Sequence, residues 1–158
     1  MSSTPTSSVQ KSFKHEVFLS FRGEDTRKNF VDHLYHALHS KGITTYKDDK
    51  NITKGGKIDD QLLRSIEESR LFIIVFSKNY ANSSWCLDEL VKIMECQKMK
   101  EHTAYPIFYD VEPTEVRHQT GAVKRAFVKH EKEDDAERWR DALKEAARSG
   151  WVGVEDHF

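Results

Sequence analysis

At 158 residues, 37% hydrophobic and 32% charged, the chain is long enough for one domain with a proper core and too short for two. Its net charge of −1 supplies no broad field for gripping nucleic acid or an anionic membrane, and no apolar run approaches the roughly 20 residues of a membrane span. Two cysteines make no disulfide framework, so a reducing intracellular compartment is expected, cytoplasmic or nuclear.

Residues 1–13, "MSSTPTSSVQKSF", lack the apolar stretch of a secretory signal and read as a disordered Ser/Thr-rich tail. "EVFLSF" (16–21) is apolar and β-rich. After "RGEDTR", Phe30, Val31, Leu34, Ala37 and Leu38 recur at helical spacing, and Gly42 stops that helix. "ITTYK" (43–47) reads as a short strand, followed by a polar loop (48–57) and a helix carrying Ile58, Leu62, Leu63 and Ile66. "LFIIVF" (71–76) is a strand of the kind buried on both faces. The loop "SKNYANSS" opens a helix with the stripe Leu87, Leu90, Val91, Met94, and Trp85 and Glu89 fall near its opposite side. "AYPIFYDV" (104–111) is a further strand, placed at a sheet edge or strand start by Pro106. Helices are expected over roughly 119–132 and 134–149, before "SGW" (149–151) and a short tail over 153–158.

Strands alternating with helices imply right-handed crossovers and a parallel sheet covered on both faces. Ligands of such folds bind beyond the carboxyl ends of the strands, where strand order reverses. That rule selects the loops 21–26, 48–57 and 77–84, and the third of these delivers Trp85 and Glu89.

Read from the residues alone, several of these positions have two accounts. Glu89 is a functional acid or an ordinary first-turn carboxylate favoured by the helix dipole. Arg22 is a ligand contact or the partner of Glu24 or Asp25, and Trp85 lines a cleft or caps the edge of the core. Asp88 leans away from Trp85 on the helix. "DDK" (48–50) reads as a solvated loop start. Cys86 and Cys96 stand about 15 Å apart along one helix, beyond disulfide reach, and read as small packing residues. His33 and His36 lack a third ligand and read as solvated; no metal site is expected.

"EVFLSFRGEDTRKNFVDHLYHAL", "GITTYKDDKNITKGGKI", "SRLFIIVFSKNYANSSWCLDELVKIMEC", "PIFYDVEPTEVRHQTG" and "SGW", five blocks in register over about 14–152, together resemble a plant TIR (Toll/interleukin-1 receptor) domain. The resemblance implies a flavodoxin-like α/β fold, a five-stranded parallel sheet flanked by helices. It implies an NAD+ hydrolase that cleaves the nicotinamide–ribose bond on self-association and yields ADP-ribose or cyclic ADP-ribose-type signals in defence and cell death. NAD+, or NADP+, is then substrate and no cofactor is needed. The resemblance places the catalytic carboxylate at Glu89. It assigns substrate contacts to Phe21, Arg22, Gly23, Glu24, Asp25 and Thr26 after the first strand, to Lys54 and Gly55 after the second, and to Ser83 and Trp85. It assigns self-association to His33, Gly150 and Trp151, with other TIR domains as partners, and it fits both a TIR-only protein and the first domain of a longer receptor.

The residue types suit that chemistry. Nicotinamide leaves a cationic precursor as a neutral molecule, so one carboxylate beside the developing ribose cation is adequate, whereas glycosidases with poor leaving groups use two. Trp85 or Phe21 would stack on a base, Arg22 would meet the pyrophosphate as a fork, and Gly23, Gly55 and Gly56 would let backbone amides approach. The chain departs from the family pattern at Asp32-His33, where Ser-His is usual, at the doubled glycine Gly55-Gly56, at "AARSGW", and at Glu112 in place of aspartate. A non-catalytic TIR–TIR adaptor is the alternative of another class, and a nucleic-acid-dependent nucleotide cyclase a third reading that the near-neutral charge does not favour.

Overall fold

The computed structural model describes residues 13–26, 30–48, 58–99 and 101–148; the side chains of Glu24 and Asp25 are outside that description. β1 (His15–Phe21), β2 (Thr45–Lys47), β3 (Ser69–Phe76) and β4 (Thr103–Phe108) form one parallel sheet in the order β2-β1-β3-β4. Phe18 stands level with Tyr46 on one side and Phe72 on the other, and Ile74 is level with Pro106. Pro106 therefore sits on the terminal strand, as its missing N–H requires.

The central strands are apolar on both sides because helices cover both. Phe18, Phe72, Ile74 and Phe76 face Leu62 and Ile66 of α3 (Asp60–Glu67), Leu87, Leu90 and Ile93 of α4 (Ser84–Gln97), and Leu143 of α7 (Ala136–Ala147). The alternate residues Val17, Leu19, Phe21 and Val75 face Val31 and the half-buried Leu34, Tyr35 and Leu38 of α2 (Asp32–Ser40). α2 buries none of its own residues completely, so it lies lightly on the sheet.

Among the described residues the sheet has four strands, not five. After β4 the chain runs through α5 (Pro113–His118), α6 (Gly121–Phe127) and a 3-10 turn (Val128–His130) to α7. Glu131 to Asp135 are all charged and could fill neither face of a buried strand. The helix expected over 119–132 begins two residues late because the backbone reverses at Gln119, φ 51°, and Gly121, φ 55°. At Gly121 the positive φ favours glycine, and a Cβ there would also force the Glu115 carboxyl, 2.1 Å away, to move.

α4 corrects the sequence reading most. Its supposed outer face is buried: Trp85 and Glu89 are inside, along with Cys86, Leu87, Leu90, Ile93, Met94 and Cys96. The sheet lies under the helix, α7 and α3 flank it, and the 3-10 turn Tyr80–Asn82 meets its N-terminal end. Only Ser84, Asp88, Val91, Lys92, Glu95 and Gln97 of the helix reach solvent.

Candidate active site

The order β2-β1-β3-β4 reverses direction between β1 and β3, and the carboxyl ends of those strands form the crevice in which such folds bind ligands. Ser20 is the penultimate residue of β1, Asp48 follows β2, and Tyr80 lies in the turn after β3. α4 begins there too. Ser83 caps it, its hydroxyl accepting the Cys86 N–H at 3.1 Å. Trp85 and Glu89, four residues apart, stand on the same side of the first turns.

Ser20, Asp48, Tyr80, Trp85 and Glu89 meet in a buried polar cluster. Glu89 is 0% exposed, and Asp48 and Trp85 are each 2% exposed. Ser20 Oγ donates to Glu89 Oε1 at 2.9 Å. Ser20 Oγ also lies 2.7 Å from the Tyr80 hydroxyl, a contact in which either oxygen can donate, and the Tyr80 hydroxyl donates to the Cys86 carbonyl at 3.2 Å. The Trp85 indole N–H donates to Asp48 Oδ2 at 2.5 Å. Glu89 Oε2 has no donor that would satisfy a carboxylate.

Burial above all, then hydrogen bonding with Asp48 and its charge, pushes the Glu89 carboxyl well above the usual carboxylate range; Ser20 and Trp85 oppose this only in part. Burial therefore favours the protonated form of Glu89, and a proton on the orphaned Oε2 would turn it from an acceptor into a donor. Burial likewise pushes up the Cys86 thiol and the Tyr80 hydroxyl, each reinforced by Glu89. Cys86 is a packing residue whose thiol donates to the Phe21 carbonyl at 3.5 Å, and Cys96 is also buried and forms no disulfide.

Several expectations need correction. The Phe21 ring is fully buried against Val17, Leu19, Val31 and Val75, and cannot stack on a base. Alternation along β1 is the cause: Ser20 points towards α4, so Phe21 points to the other face. Trp85 offers no open ring either, because its body is in the core and its N–H is held by Asp48. Asp48, expected as a solvated loop start, is buried.

Arg22 is half-buried beside the cluster, and its charge acts on the Cys86 thiol. Gly23 and Thr26 are buried in the short helix α1 (Gly23–Thr26), which the Thr26 hydroxyl steadies by donating to the Arg22 carbonyl at 3.2 Å. His33 is exposed on α2, as is His36. Asp88 turns away and accepts the Trp139 indole N–H of α7 at 3.0 Å. The side chains of Glu24 and Asp25, and the positions Lys54, Gly55, Gly56, Gly150 and Trp151, lie outside the described residues. Among the described residues, no group of side chains could hold a metal ion and no helix is long and apolar enough to cross a membrane.

Sequence reasoning missed Ser20, Asp48 and Tyr80. Ser20 did carry a signal: a lone hydroxyl inside an apolar strand must find a buried partner.

A family model described as "TIR domain" matches residues 14–156. Disease resistance protein RPV1 of Vitis rotundifolia is 54% identical over 160 residues, covering 99% of this chain and 11% of that protein. TMV resistance protein N of Nicotiana glutinosa is 53% identical over 147 residues, covering 90% of this chain and 13% of that protein. The chain thus spans about a tenth of the length of the curated relatives it matches. Among solved structures, the TIR domains of the activated Roq1 resistosome, which directly recognizes the pathogen effector XopQ, superpose with a TM-score of 0.82 at 47% identity, over 91% of this chain and 90% of that one. With every block of the sequence and the whole of the described fold accounted for in this way, the chain belongs to the TIR domain family.

Proposed function

We propose that this domain hydrolyses the nicotinamide–ribose bond of NAD+ or NADP+ when copies of it associate, as a signalling step in plant defence. The observation that carries the reading is Glu89: a wholly buried carboxyl at the switch point, with Oε1 fixed by Ser20 and Oε2 unsatisfied as a carboxylate. Such a group costs stability, and groups that cost stability cluster where chemistry is done.

The chemistry follows from charge. Nicotinamide departs with the electron pair of the bond to the ribose carbon, neutralising its own ring and leaving positive charge on the sugar. Glu89 ionises as the cationic pyridinium comes close, because a neighbouring positive charge favours the charged form of a carboxyl. The carboxylate then stabilises the ribose cation in a water-poor setting, where such an interaction is worth far more than in bulk water. Water adds to the cation and loses a proton, giving ADP-ribose; an adenine nitrogen in place of water gives a cyclic product.

The defence role and the need for association rest on likeness to the disease resistance proteins and to the TIR domains of an activated resistosome. The test is nicotinamide release by the purified domain, dilute and crowded on beads, beside Glu89→Ala. Turnover should rise more than in proportion to local concentration and fall by at least ~100-fold in the variant. No turnover in either, with self-association intact, would leave an interaction module.

A further inference from the structure

We propose that Asp48 is a positioning residue for Glu89: a second buried carboxyl that holds the Glu89 proton in the arrangement seen here and makes the site respond to a cationic occupant. The inference rests on the reading of Glu89 given above and adds to it which group controls that acid.

The geometry leaves little choice. Ser20 occupies Oε1 and Oε2 is left without a hydrogen-bond partner, while the Asp48 carboxyl bears on Glu89 directly. Asp48 is fixed in turn by the indole of Trp85, one helical turn before Glu89. Both carboxyls are shut away from water, and two ionised carboxylates in that setting repel strongly, so the pair retains a proton. Among the described residues, the other titratable groups beside the pair are mostly acids. Tyr46 of β2, Tyr80 of the turn after β3 and Cys86 of α4 are acids whose own ionisation burial suppresses, and the cation Arg22, beyond β1, acts on Cys86.

A positive ligand changes the balance. With a pyridinium beside the pair, the proton on Oε2 passes to solvent and two negative charges face one positive. A neutral ring of the same shape, such as a dihydronicotinamide, brings no such gain. The pair therefore favours the oxidised, cationic dinucleotide over its reduced form, and binding releases a proton.

The deciding variant is Asp48→Asn, whose side-chain oxygen can still accept the Trp85 N–H. Two readouts are taken: the pH profile of kcat/KM for nicotinamide release, and the infrared carbonyl band of protonated Glu89, assigned by its loss in Glu89→Gln. With the repelling charge gone, Glu89 should ionise at lower pH. The band should vanish at lower pH than in the wild type, and the ratio of activity at pH 5.5 to that at pH 7.5 should rise at least about threefold. Trp85→Phe, which removes the indole N–H from the pair, should move the band the opposite way, and it keeps the test alive if Asp48→Asn does not fold. A band that titrates identically in wild type and both variants overturns the role of Asp48. If the wild type releases no nicotinamide, the proposed activity fails, while the infrared titration still decides the question of Asp48.

Discussion

Glu89 is a poor choice for stability. Its carboxyl ionises readily in an unfolded chain, with a pKa of about 4.3, but in the folded domain burial and Asp48 hold the proton on. The folded state therefore binds more protons than the unfolded state once pH exceeds that ordinary value, and stability falls as pH climbs from there towards the raised folded value. Below it both states are protonated and nothing is lost. Glutamine has the same shape, accepts from Ser20, donates towards Asp48 and never ionises. Glu89→Gln is thus expected to melt higher than the wild type at pH 8, by a few °C, with the difference shrinking towards pH 5. Differential scanning calorimetry at the two pH values checks this; a lower melting point at pH 8 would show that the burial cost is illusory.

At the scale of elements, α4 brings the site together and its neighbours close it. Trp85 and Glu89 project from its first two turns, while Asp88 ties the same stretch to Trp139 of α7. Removing that tie leaves a buried indole N–H without its acceptor, a loss of about 1–2 kcal/mol. Asp88→Ala should therefore lower the melting point by roughly 2–8 °C. Its nicotinamide release per folded molecule should stay within about twofold of the wild type, because Asp88 faces away from the cluster. Activity lost as completely as in Glu89→Ala would mean the roles of the two acids have been confused.

The same helix shows what sequence makes legible. Its start, its apolar stripe and its place after a buried strand all follow from periodicity and capping. Its second buried side does not, because the helical period marks only the side that is visibly apolar. On α4 the remaining side is covered by other elements over residues of mixed type: a tryptophan, a cysteine and a glutamate. Ser20, Asp48 and Glu89 come from three distant segments, and they meet only once β1 pairs with the three residues of β2. The motif "SSWCLDEL" points to Glu89 by resemblance; Asp48 has no such motif and emerges from the fold. Phe21 was misjudged for a simpler reason, since one step along a strand exchanges the two faces of the sheet.

For the molecule as a whole, the proposed requirement for association puts part of the function outside a single chain. α2 is the natural place to look on this side of the sheet: it is lightly packed, none of its residues is fully buried, and His33 is exposed on it. Substituting an exposed helix residue should cost the fold less than about 0.5 kcal/mol. His33→Glu should consequently leave the melting point nearly unchanged while reducing self-association in light scattering and turnover at high local concentration, each several-fold. Full association and full turnover in that variant would remove α2 from the interface.

The central claim is that a buried, stability-costing carboxyl is retained for the chemistry it performs. Nicotinamide release by Glu89→Gln tests it most directly, measured on folded protein at pH 7.5 and at a surface density where the wild type turns over. The account predicts a domain that folds at least as well as the wild type and releases nicotinamide at least ~100-fold more slowly, because an amide cannot supply the negative charge the ribose cation needs. A glutamine variant that turns over at the wild-type rate would contradict the account.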